Sequence, residues 1–265
     1  MTKIRPLIKC HGGKSYLSKW IIGYFPPNYQ EMTYLEPFCG GASVLLNKEP
    51  STEEIINDLD ENLIWIFKAL RDQRVQFIRK ISATKYKESN FKTAIERKEF
   101  SSPLQKAVNE FVLRRMSRGG LKKAFAWSNR ERGGQPGEVN AWKTIIKSLP
   151  KISDRLQNVI ILNKPALEII KLFDDPNTLI YADPPYLPET RQSPETYTYE
   201  MSYDDHIELS EILNNFKGKV LISGYPSRLY GKIYKNWNCE KKKMPNHASQ
   251  QRVKPIKIEL LWRNF

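Results

Sequence analysis

Residues 183–186 read Asp-Pro-Pro-Tyr and follow directly on the apolar run Thr178–Ala182. Proline ends strands because it lacks an N–H and fixes φ. A carboxylate, a rigid elbow and an exposed-looking ring therefore stand at the carboxyl end of a short strand. An Asp-Pro turn with a packed tyrosine also serves as a plain strand end. The chemistry that uses all four positions is substitution on the exocyclic amine of a nucleobase. Such an amine is a poor nucleophile because its lone pair is delocalised into the ring. Acceptors on both N–H bonds aim the lone pair away from the ring and offset the positive charge developing on nitrogen. Asp183 supplies one acceptor and the Pro184 carbonyl the other. Pro185 stiffens the turn, and Tyr186 offers a face for stacking the base. This is catalysis by positioning and electrostatics, and a base held so must be flipped out of any duplex.

Three further motifs have the residue types of a binding site. In "YLEPFCGGAS" a strand runs through Gly40-Gly41 into an expected helix, "ASVLLNK". Glycines there let the backbone approach a ligand, and a helix start offers N–H groups. In "IINDLD" the second strand ends near Asp58 and Asp60. A carboxylate at that place accepts hydrogen bonds from the two hydroxyls of a ribose. Asp60 reads more simply as the N-cap of "ENLIWIFKALRD", which leaves Asp58 for the ribose. "CHGGKS" is not a phosphate loop, because Ile8 stands where that pattern requires glycine. What remains is a Gly-Gly turn with Lys14 before the helical "SYLSKWIIGYF", suited to a carboxylate or phosphate. Each of these is also an ordinary turn when taken alone.

Strand and helix alternate over the first 60 or so residues, giving a β-α-β unit with a right-handed crossover. From about Val75 to Met116 polar, charge-rich helices take over, one starting at Ser102 with Pro103 in its first position. A glycine-rich, basic and aromatic loop follows. Strands and helices alternate again after Pro150, through "NVIIL", "KPALEIIKLF", "TLIYA", "DDHIELSEILNNF", "KVLISGY" and "IKIELLW". The expectation is an α/β fold, a doubly wound, mostly parallel sheet interrupted by a helical subdomain. Ligands bind such sheets at the carboxyl ends of the strands, near the switch point.

The 265 residues carry 40% hydrophobic and 27% charged side chains and a formal net charge of +14. That excess predicts a polyanionic partner, most simply nucleic acid. The charge is segregated. Residues 174–211 hold ten acidic side chains against Arg191 alone, whereas residues 111–132 hold seven basic ones against Glu131 alone. No apolar run is long enough for a transmembrane helix, and "MTKIRPLIKC" lacks a signal-peptide core, so a cytoplasmic protein is expected. Cys10, Cys39 and Cys239 are dispersed, as are His11, His206 and His247. Neither a disulfide framework nor a metal site is expected.

With these motifs in order, the chain resembles the Dam-type (alpha-group) adenine-N6-specific DNA methyltransferases over nearly its whole length. "IKCHGGKSYLSKWI", "EPFCGGASVLL", "INDLDENL", "DPPY" and "KIELLW" are similar to that family's successive motifs. The resemblance implies a Rossmann-like S-adenosylmethionine-dependent methyltransferase fold. Its catalytic domain would be residues 1–64 and 151–265, with a helical target-recognition insertion at 65–150. It implies S-adenosylmethionine as cofactor, S-adenosylhomocysteine as product and no metal. The expected substrate is the N6 amine of a flipped adenine in double-stranded DNA. No membrane or obligate protein partner is implied, and a cognate restriction endonuclease would fit. Lys14 would hold the cofactor's methionine end, with Cys10, Glu36, Phe38, Gly40 and Gly41 lining that pocket. Asp58 would bind the ribose. Asp183 would face both cofactor and amine, beside Pro184, Pro185 and Tyr186. The chain departs from the family's pattern at Cys10, often aromatic, and at Ala42, where a second spaced glycine is usual.

For DNA, the basic loop suggests Arg118, Lys122, Lys123, Arg130 and Arg132, with Asn129 suited to an adenine edge. Phe125 or Trp127 could wedge into the stack left by the flipped base, with core packing the expected job of at least one of them. The tyrosine-rich loop after Tyr186 is expected to close over the base, with Arg191 meeting a phosphate. Competing readings keep the mechanism and change the target to cytosine N4 or RNA, or make the chain a decayed DNA-binding protein.

Overall fold

The computed structural model describes residues 4–10, 12–128, 130–132, 134–191, 199–245 and 256–265. In chain order the elements begin with α1 (Ser18–Ile22), β1 (Thr33–Glu36), β2 (Glu53–Asn57), α2 (Glu61–Asp72), α3 (Arg74–Ala83) and α4 (Glu88–Glu96). Next come α5 (Pro103–Met116), β3 (Glu131–Arg132), β4 (Gln135–Pro136), α6 (Gly137–Leu156), β5 (Val159–Leu162) and α7 (Ala166–Leu172). The chain ends with β6 (Thr178–Ala182), α8 (Tyr203–Asn214), β7 (Lys219–Gly224), α9 (Arg228–Ile233), β8 (Asn238–Pro245) and β9 (Ile256–Arg263). They divide into two units. One is Met1–Phe25, Cys39–Pro50 and Asp60–Asn163; the other is Pro26–Phe38, Ser51–Leu59 and Lys164–Phe265.

In the second unit six strands run in the order β2-β1-β6-β7-β9-β8. The pairs β1–β2, β1–β6 and β6–β7 are parallel, and β9 lies antiparallel to both β7 and β8. From β1 the chain continues to β2 on one side, while β6 and β7 build outward on the other. The β1/β6 boundary is therefore the switch point, outside whose carboxyl ends such sheets bind ligands. Every residue of β6 is buried, as a continuous apolar strand in a parallel sheet should be. Helix α8 opens with a reciprocal capping box between Ser202 and Asp205.

The first unit is mostly helical. Asp60 caps α2, its side chain accepting from the Asn62 and Leu63 amides, and Ser102 caps α5 with Pro103 beginning it. Phe77, Phe111 and Trp142 bring α3, α5 and α6 together, with ring centroids 5.6 and 5.7 Å apart. At the end of α5, Arg114 forks between two carboxylates, Nη2 2.5 Å from Asp60 Oδ2 and Nε 2.7 Å from Glu110 Oε1. Burial opposes the Arg114 charge, but Cys10, Glu110 and Asp60 together hold its pKa above the ordinary arginine value.

Several elements differ from the sequence expectations. "ASVLLNK" does not form an α-helix; it contains only a single 3₁₀ turn, Leu45–Asn47. Its start therefore presents no helical row of N–H groups. The helix in "SYLSKWIIGYF" is five residues long. Pro150, after which strand–helix alternation was expected to return, lies inside α6, which runs on to Leu156. Proline inside a helix costs about 3 kcal/mol, which the buried stripe Trp142, Ile145, Leu149, Ile152 and Leu156 offsets. Helix α9 and strand β8 were not anticipated. Strand β8 is "NCEKKKMP", whose exposed Lys241, Lys242 and Lys243 hide the alternation that marks a strand and guard the sheet edge against pairing.

Candidate active site

In the second unit, parallel pairing brings the carboxyl ends of β2, β1 and β6 into line. Tyr34 and Leu35 of β1 pair with Glu54 and Ile55 of β2 and with Leu179 and Ile180 of β6. Glu36 ends β1, Asp58 follows β2 by one residue and Asp183 follows β6 by one residue. Three carboxyl groups thus stand at the ends of three adjacent strands at the switch point. Glu36 is buried and accepts the Tyr34 hydroxyl at 2.6 Å. Phe38 and Asp58 are half-buried. The turns around Asp58 are held by the fully buried Asn57. Its amide donates to the Pro37 and Lys164 carbonyls at 3.0 Å, and its oxygen accepts from the Lys164 amide at 2.9 Å.

Asp183 is half-buried, and its Oδ1 accepts a 2.7 Å hydrogen bond from Ser223 Oγ at the end of β7. Ser223 also meets the Tyr181 hydroxyl at 3.1 Å. These contacts set the rotation of the carboxylate. Pro184 is buried and Pro185 half-buried. Tyr186 is not the exposed ring the sequence suggested. It is 6% exposed, its hydroxyl donates to Glu259 of β9, and its ring meets Tyr225 edge-on at 4.6 Å. Burial first, then the charges of Glu259 and Asp183, hold the phenol protonated well above its ordinary range. Asn57, Ser223, Tyr225 and Glu259 escaped the sequence reading. Only Glu259 left a signal there, as a lone carboxyl between apolar residues in "KIELLW".

In the first unit, the Gly-Gly-Lys turn and the Gly-Gly loop lie against each other. A side chain at Gly41 would meet Ile8 O at 3.7 Å and Cys10 Sγ at 3.9 Å. Cys10 is half-buried. Lys14 is buried, and its Nζ donates to Gly12 O at 3.0 Å. The departure at Ala42 falls at φ 48°, a left-handed conformation that costs a non-glycine residue roughly 1–2 kcal/mol. Gly40 shares that φ, and a Cβ there would meet nothing within 4 Å among the described residues. The side chains fit S-adenosylmethionine in kind. In the first unit the Lys14 ammonium is of the kind that suits its carboxylate; in the second, the carboxyl group of Asp58 is of the kind that suits ribose hydroxyls. Among the described residues no group of three or more His, Cys, Asp or Glu side chains could hold a metal ion.

The basic loop is more ordered than its composition suggests. Ser117 and Phe125 form an antiparallel bridge, and β3 and β4 pair as a short hairpin. Gly120 lies so close to the Lys9 carbonyl that a Cβ would sit 2.0 Å from it, so this φ 77° turn requires glycine. Arg118, Lys123 and Arg130 are exposed. Lys122 is not available as expected, because its Nζ pairs with buried Glu110 at 2.9 Å. Of the seven basic residues counted in this stretch, Arg114 and Arg115 are buried as well. Arg132 has its backbone in β3. Arg191 is likewise no open phosphate contact: its guanidinium pairs with both oxygens of Glu200 at 3.0 and 2.7 Å. Phe125 packs against Tyr86 and Phe91, whereas Trp127 is 48% exposed. Asn129, His11, His247 and loop residues 192–198 lie outside the described residues.

The model of the D12 class N6 adenine-specific DNA methyltransferases matches residues 11–248. The chain belongs to that family. It is 29% identical to the type II methyltransferase M.MjaIII of Methanocaldococcus jannaschii, across 99% of this chain and all of that one. It is 22% identical to the DNA adenine methylase of Haemophilus influenzae, across 98% of this chain and 93% of that one. A solved S-adenosylmethionine-dependent methyltransferase from Agrobacterium tumefaciens is a distant likeness, at 9% identity and a TM-score of 0.43, across 98% of this chain and 62% of that one. By its family the protein is an adenine-specific DNA methyltransferase that uses S-adenosylmethionine. Among the described residues of the methyltransferase, no helix is long and apolar enough to cross a membrane.

Proposed function

We propose that the methyltransferase acts at a specific sequence in duplex DNA, on an adenine extruded from the helix, and that the turn Asp183–Tyr186 performs the positioning. The observation that carries this reading is that turn at the carboxyl end of β6, on the switch point, with Ser223 holding the Asp183 carboxylate. S-adenosylmethionine supplies an electrophilic methyl on a sulfonium. Asp183 and the Pro184 carbonyl accept the two N–H bonds of N6, turn its lone pair out of the ring and stabilise the charge it gains. Pro185 stiffens the turn, and Tyr186 stacks on the adenine. Lys14 pairs with the cofactor's carboxylate and Asp58 with its ribose hydroxyls. Cys10, Glu36, Phe38, Gly40 and Gly41 line the remainder, and residues 65–150 are the target-recognition insertion.

The test is transfer of labelled methyl to unmethylated duplex DNA, followed by digestion to nucleosides and mapping of the modified positions. N6-methyladenine at one recurring sequence is expected. N4-methylcytosine would overturn the choice of base, and scattered positions would overturn site specificity. The type II name of one relative supports pairing with a restriction endonuclease. Plasmid methylated by this protein should then resist an endonuclease that cuts the mapped sequence.

The exposed cations Arg118, Lys123 and Arg130 contact DNA phosphates in this reading. Substituting all three with alanine should weaken binding and reduce the slope of log K against log salt by about 2–3, near 0.9 per lost contact. Lys122→Ala should leave the slope unchanged, since its ammonium answers Glu110. Binding titrations from low to moderate salt check both. A triple variant with the native slope would remove this loop from the DNA-facing surface.

A further inference from the structure

We propose that Glu259 of β9 is a positioning residue for base methylation, holding the Tyr186 ring at the angle at which it stacks on the extruded adenine. This rests on the reading of Tyr186 as the stacking face. The two prolines stiffen the backbone that carries Tyr186 but leave its side-chain torsions free. Strand order puts β7 between β6 and β9, so the phenol reaches across the end of β7 to its acceptor. One ring edge is fixed there, and Tyr225 packs against the ring at 78°. Lys257 Nζ lies 4.7 Å from the Tyr225 centroid and backs that second ring. Glu259, Lys257 and Tyr225 thus make a frame around one tyrosine.

Glu259 is 4% exposed in a strand whose next three residues, Leu260, Leu261 and Trp262, are buried and apolar. A buried carboxyl costs stability that an apolar residue there would not. Lys242 stands opposite it in register. A phenol donating to a carboxyl also becomes richer in ring electron density. Such a face attracts the positive character that N6 acquires as it is methylated. Glu259 therefore acts through Tyr186, both on its angle and on its charge distribution.

The experiment compares Glu259→Ala, Glu259→Gln, Tyr186→Phe and the Tyr186→Phe/Glu259→Ala double variant on duplex carrying the mapped site. The readouts are kcat, KM for DNA, cofactor Kd and the anisotropy of 2-aminopurine replacing the target adenine. Glu259→Ala should lower kcat by about 10–100-fold, with KM and cofactor Kd within about twofold, and lower the bound anisotropy. Tyr186→Phe should match it, and the double variant should lose no more than either. Glu259→Gln should restore most of kcat, because its amide oxygen still accepts the phenol. Native kcat in Glu259→Ala, multiplying losses in the double variant, or a Gln variant no better than Ala would overturn the proposal. If Glu259→Ala does not fold, Glu259→Met, which fills the space but cannot accept the phenol, replaces it, and its combination with Tyr186→Phe decides by the same non-additivity. Tyr186→Ala at native kcat would instead overturn the stacking reading itself.

Discussion

Asp183→Ala is expected to lose methyl transfer by about 10³-fold or more while the protein stays folded. The loss is large because, in the proposed mechanism, one carboxylate both orients the amine and stabilises the charge that N6 develops. The fold should survive because Asp183 is half-buried and lies beyond the end of β6, outside the sheet ladder. Removing it costs the hydrogen bond from Ser223, about 1 kcal/mol. Asp183→Asn keeps an acceptor for Ser223 and for one N–H but removes the charge. It should fall between wild type and alanine, dividing positioning from electrostatics. Labelled methyl transfer and a thermal melt on the same preparations check this. Near-native turnover in the alanine variant would refute the assigned role.

The largest stability effect should come from Arg114→Met, at about 3–5 kcal/mol, because it leaves carboxylates buried without their cation. Side chains of Arg114, Asp60 and Glu110 are each 8–9% exposed, and the guanidinium is the group that touches both acids. Lys122 still answers Glu110, so Asp60 suffers most. For a chain of this length the midpoint should fall by roughly 6–20 °C. Adding Asp60→Asn and Glu110→Gln should recover more than half of the loss, since no buried carboxylate is then orphaned, the Lys122 ammonium is partly exposed to solvent, and asparagine still caps α2. Urea unfolding of the single and triple variants measures both numbers. A loss under about 1 kcal/mol in Arg114→Met would show that the acids are solvated in the folded protein.

Much of the fold was legible because local signals agreed with the global pattern. Thr178–Ala182 and Glu61–Asp72 were bounded by a proline turn and by an aspartate cap, and both formed with those ends. Ser102-Pro103 marked the start of α5 for the same reason. The misses are places where tertiary burial overrode local propensity. Pro150 stays helical because the stripe around it is buried, while "ASVLLNK" packs as a 3₁₀ turn despite its helical composition. Strand β8 was hidden by lysines whose role is to face solvent at an edge.

For the site, residue types and their order along the chain were enough to determine the family, the cofactor and the reaction. The chemistry of an exocyclic amine leaves few ways to arrange a carboxylate, a carbonyl and a ring, and those ways are local. Which side chains hold that arrangement still was a tertiary matter. Ser223 on Asp183, Glu259 on Tyr186 and Asn57 beneath Asp58 are 40, 73 and 1 residues away in sequence, and only strand order brings the first two to their partners. The same holds for charge. Seven basic residues in 111–132 promised a cationic face, but folding buried Arg114 and Arg115 and spent Lys122 on Glu110. Composition counts charges, whereas packing decides which of them meet solvent, because a buried carboxylate claims the nearest cation before any phosphate can.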